Sequence, residues 1–115
     1  MVQAYVEQLT ELMKQAASRK HRDVRLEIKH FFSGAAVYAN GAICITLTPV
    51  GFALKLPMEQ RTALLEEHGA TPLRYFPNAP IKKEYAVLPA KIMDDQRALR
   101  GWVAECIDYV ALTKK

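Results

Sequence analysis

Along the first eighteen residues the apolar positions fall at intervals of three and four: Val2, Tyr5, Val6, Leu9, Leu12, Met13 and Ala16. That spacing puts one apolar stripe on a helix from about residue 2 to 18. So short a helix is marginal in isolation and must dock on another element. The period then changes to two. In VRLEIKHFF, Val24, Leu26, Ile28, His30 and Phe32 alternate with Arg25, Glu27, Lys29 and Phe31. This pattern predicts a strand with one buried face, with His30 on the apolar side.

Ser33-Gly34 breaks the run, and glycine suits a corner or bulge there. AAVYA-NG-AICITLT follows. Asn40-Gly41 between two apolar runs is a strong hairpin signal, because a type I′ turn needs positive φ at both central residues. Alternation along the second of these strands sets Cys44 opposite Ile43, Ile45 and Leu47, which makes it the more accessible thiol. Pro49 and Gly51 then supply a second turn into FALKL.

Pro57 stops that strand and opens a helix, MEQRTALLEEHG, with Met58, Leu64 and Leu65 towards the core and Gly69 at its C-terminal end. Two short strands, TPLRYF and KEYAVL, flank the turn-rich PNAP. Asp94 or Asp95 then caps a long helix to about residue 112, whose apolar face is Leu99, Trp102, Val103, Cys106, Ile107 and Val110. The order α-β-β-β-β-α-β-β-α implies an α+β fold. Four consecutive strands form an antiparallel meander, and helices pack on the sheet.

Length and composition narrow the class. With 115 residues, 50% of them hydrophobic and 24% charged, the chain is expected to form one globular domain over residues 1–115. No apolar run reaches the ~20 residues needed to cross a bilayer. The start lacks a basic region followed by an apolar one, so it does not read as a signal peptide. Cys44 and Cys106 fall outside any CxxC spacing and are expected as buried, reduced thiols, which makes a cytoplasmic protein the default.

Candidate catalytic groups are scattered. His21, His30 and His68 lie in a linker, a strand and a helix end, without metal-ligand spacing. The residues around Ser33 are not GxSxG, and no His and acid pair stands beside it. No enzyme, metal site or cofactor is therefore expected.

Charge points instead to surfaces. The net charge is +4, and Lys14, Arg19, Lys20, Arg22 and Arg25 cluster with only Asp23 to offset them. Such a cluster can steer the domain towards nucleic acid or an acidic protein. Two candidate partner-binding surfaces combine aromatic and basic residues. One is Phe31 beside Arg25 and Lys29. The other lies within RYFPNAPIKKEY, where Arg74, Phe76, Lys82 and Lys83 mix with Tyr75 and Tyr85. Such mixtures occur at protein interfaces and in single-strand nucleic-acid grooves.

The series Gly34, Tyr38, Gly41, Lys55, Gly69, Tyr75, Tyr85, Pro89 and Trp102, in that order, resembles the TfoX N-terminal domain-like family of TfoX/Sxy competence regulators. The resemblance spans about residues 24 to 110. Relatives usually show Arg-Met-Phe-Gly-Gly at the corner, where this chain reads His30-Phe31-Phe32-Ser33-Gly34. Full-length TfoX/Sxy proteins act as activators of competence genes together with the cyclic-AMP receptor protein. They carry a second, C-terminal domain, and this chain is expected to be a single-domain form without it.

The resemblance implies helices on an antiparallel sheet and a transcription-regulation adaptor with a protein partner. Weak non-specific DNA contact and a homodimer are further expectations, with no membrane association. The alternative is a small-molecule-binding domain with a pocket between the last helix and the sheet.

Overall fold

The computed structural model describes residues 2–16, 24–31, 34–74 and 78–113. Its elements are α1 (Val2–Ala16), β1 (Leu26–Phe31), β2 (Gly34–Ala39), β3 (Ala42–Thr48), β4 (Gly51–Lys55), α2 (Met58–Glu67), β5 (Thr71–Leu73), β6 (Lys82–Val87), α3 (Ala90–Met93) and α4 (Gln96–Thr113). This is the expected order with one addition, the four-residue α3 that starts after Pro89. A single turn is too short to carry a helical period, so the sequence pattern gave no sign of it. Asp95 caps α4, its Oδ1 accepting from the backbone N–H groups of Arg97 at 3.1 Å and Ala98 at 3.2 Å.

The six strands form one antiparallel sheet in the order β1-β2-β3-β4-β6-β5. Asn40 and Gly41 make the expected turn with φ of 51° and 86°. The Asn40 Oδ1 also accepts from the Arg25 N–H at 2.9 Å, which ties the start of β1 to the turn. At the other end of the β2–β3 hairpin, a Cβ on Gly34 would overlap the Leu47 carbonyl oxygen.

α1 and α4 cover one face of the sheet. Leu9 and Met13 from α1, and Val103, Cys106, Ile107 and Val110 from α4, bury against Ala35, Val37, Ala39, Ile45 and Leu54. On the opposite face Ala36, Thr46 and Ala53 stand in register across β2, β3 and β4, each fully buried. The Thr46 hydroxyl has no hydrogen-bond partner among the described residues.

Three expectations change. Cys44 is not the accessible thiol; it is fully buried. The β2–β3 register pairs Val37 with Ile45 but Tyr38 with Ile43, so Cys44 is the extra residue of a bulge and the alternation does not run through it. Met58 does not face the core but is 70% exposed. The buried ridge of α2 centres on Leu64, and six helical steps leave Met58 about 120° away around the helix. His30 is exposed, at the rim of β1 beyond the half-buried Leu26 and Ile28. Ser33 and Phe32 of the corner, like His21, lie outside the described residues.

Two substitutions test this packing by urea unfolding. Gly34→Ala forces a methyl group onto backbone and is expected to cost about 3 kcal/mol or more. Thr46→Val removes an unpartnered buried hydroxyl and is expected to be neutral or stabilising by about 1 kcal/mol.

Candidate functional site

Because α4 buries the stripe Leu99, Val103, Cys106, Ile107 and Val110, a second stripe must face outward. Arg97, Gly101 and Glu105 recur at intervals of four and are exposed, with Ala98 and Trp102 half-buried beside them. Gln60 of α2 approaches this stripe and its Nε2 donates to the Glu105 Oε1 at 3.3 Å. Together these six residues line an open cavity of about 410 Å³.

The end of α2 holds the cavity's aromatic wall. His68, the C-cap, sets its ring edge-on to Trp102 with centroids 5.7 Å apart. Gly69 follows with φ 81°, and the Ala70 N–H turns back to the Leu64 carbonyl at 3.0 Å, closing the helix. The floor is Gly101. A Cβ there would meet nothing within 4 Å. Glycine inside a helix costs about 1 kcal/mol relative to alanine, so packing does not explain this residue. The groove thus offers an indole face, a guanidinium, a carboxylate, an amide and exposed helix backbone, a set suited to holding a chain segment or a small molecule.

The partner-binding residues read from the sequence do not converge. Arg25, Lys29 and Phe31 lie at or on β1, one edge of the sheet, whereas Arg74 follows β5 and Lys82 and Lys83 lie on β6. Five strand spacings, roughly 24 Å, separate the two edges. Lys29 sets its Nζ 5.3 Å over the Tyr38 ring. Arg74 donates through Nη1 to the Ala79 carbonyl at 3.0 Å. Phe76 lies outside the described residues, as do Arg19, Lys20 and Arg22 of the basic cluster.

The pocket expected between the last helix and the sheet is filled by the core; the cavity lies on the other side of α4, towards α2. Trp102 belongs to the expected apolar face of α4 and packs half-buried against the core while lining the groove; Gly101 carries no apolar or charged signal. The available signal was a glycine in the middle of an otherwise well-formed helix.

Cys106 and Cys44 are both buried free thiols, and the Cys106 Sγ donates to the Cys44 carbonyl at 3.1 Å. Burial, reinforced by the neighbouring Cys44 thiol, pushes the Cys106 pKa well above the usual 9.0. Among the described residues no group of three His, Cys, Asp or Glu could hold a metal ion, and no helix is long and apolar enough to cross a membrane.

The family model of the TfoX N-terminal domain matches residues 23–110, most of the chain. Neither a curated protein nor a solved structure matches significantly.

The thiol geometry sets a pH dependence. Above the ordinary thiol pKa the unfolded chain loses the Cys106 proton while the folded chain keeps it. Stability is therefore expected to fall from about pH 9 upward, by as much as ~1.4 kcal/mol per pH unit from this group. Denaturant titrations at pH 7 to 10.5 check it: Cys106→Ala should show a shallower alkaline fall than the native chain.

Proposed function

Because the chain belongs to the TfoX N-terminal domain family, we propose that it is a non-enzymatic interaction module. Its role is that of a transcription-regulation adaptor holding a segment of a protein partner in the groove between α2 and α4. The observation that carries this reading is Gly101, a destabilising residue with open space above it, beside the half-buried Trp102. Tryptophan and arginine are enriched among residues that dominate binding energy, and Trp102 and Arg97 supply both at one groove. The basic residues at the two sheet edges add long-range steering and a weak, non-specific DNA affinity that falls steeply with salt.

The cavity's size supports a second reading. A volume of about 410 Å³ lies within the range of small-molecule sites, roughly 300–1,000 Å³. A metabolite that raises the melting temperature through the groove would favour it.

Gly101→Leu separates function from fold. The added side chain enters open space and improves helix propensity, so the melting temperature is expected to hold or rise. The immobilised native chain should retain a transcription protein from bacterial lysate at moderate salt, with the cyclic-AMP receptor protein the first to be tested in purified form. Gly101→Leu should lose it. Equal retention by the two chains would remove the groove from the interaction.

A further inference from the structure

One edge of the sheet is β1, and its hydrogen-bonding polarity can be read from one residue. Arg25 directs both backbone groups inward. Its N–H donates to the Asn40 Oδ1 at 2.9 Å and its carbonyl accepts from the Asn40 N–H at 2.8 Å. Backbone groups alternate in direction along an antiparallel strand. Those of Glu27, Lys29 and Phe31 therefore also face β2, opposite Tyr38, Ala36 and Gly34. Those of Leu26, Ile28 and His30 face outward. Among the described residues no strand lies beyond them.

We infer that this edge pairs with the same edge of a second copy, antiparallel and centred on Ile28, joining two six-stranded sheets into one of twelve. The two-fold register sets Ile28 against the partner's Ile28 and Leu26 against the partner's His30. All of these are outward-facing residues able to exchange backbone hydrogen bonds. Between them Glu27 falls opposite the partner's Lys29, and Lys29 opposite the partner's Glu27. Arg25 falls opposite the partner's Phe31.

Among the registers within one two-residue step, only this one is complementary. Sliding one strand by two residues sets Glu27 against the partner's Glu27, or Lys29 against the partner's Lys29. Like charges directly opposite one another are destabilising. A lone lysine on an edge strand ordinarily keeps other strands away. Here Glu27, on the same face and two residues before Lys29, turns that protection into a filter against the two neighbouring alignments. Single-strand contacts belong to the small, transient class of interfaces, so the dimer is a concentration-dependent one. This inference stands apart from the groove between α2 and α4, which lies on other elements.

Sedimentation of the full chain, from micromolar to millimolar concentration, tests it. The native chain should pass from monomer to dimer. Glu27→Lys and Lys29→Glu should each weaken dimerisation roughly tenfold, because each turns two symmetry-related pairs repulsive. The double exchange Glu27→Lys with Lys29→Glu should restore it, and so should an equimolar mixture of the two single variants, now as a heterodimer. Melting temperatures measured on dilute, monomeric samples show that every variant is folded. A monomer at millimolar concentration would overturn the inference. So would a dimer indifferent to both single exchanges.

Discussion

Everything else in this molecule hangs on one apolar row. Ile28, Val37, Ile45, Leu54 and Ala86 stand in register across β1, β2, β3, β4 and β6, and α1 and α4 close over them with Leu9, Val103 and Ile107. Each fully buried aliphatic side chain contributes about 1.5–3 kcal/mol, which fixes the rotation of α4 about its own axis. Once that rotation is set, Arg97, Gly101 and Glu105 have no choice but to face away from the sheet. The groove is a consequence of the core.

Two small devices keep the row in line. Gly34 lets β2 and β3 meet without a side chain between them. The bulge at Cys44 then shifts the register by one, which brings Cys44 and Ile45 together into the core. The Cys106 Sγ donates to the Cys44 carbonyl, so the bulge is locked to α4, the helix that presents the groove. A second lock comes from α2, where Gln60 meets Glu105 and His68 meets Trp102. The aromatic wall is thus held from the C-terminal end of α2. Groups already fixed in place lose less entropy when a partner binds.

What could be read from the residues was what local chemistry decides. Asn40-Gly41 demanded positive φ, Asp95 offered a carboxylate to free amides, and periods of two and 3.6 marked strands and helices. The alternation of Cys44 misled because a bulge is set by the partner strand. Met58 misled because the buried direction of α2 is set by what it packs against. The groove joins Gln60 to Glu105, 45 residues apart, and no spacing rule brings them together. The basic and aromatic residues of β1 and of the β5–β6 region looked similar in composition, yet the strand order sends them to opposite edges.

The most direct measurement is the amide spectrum of the isotopically labelled chain during titration with a purified transcription partner. Shifts concentrated at Gln60 and at residues 97–105, with the Trp102 indole N–H among the largest, are the result expected if the groove is the working surface. Shifts confined to β1, or to β5 and β6, with the Trp102 indole unmoved, would contradict it.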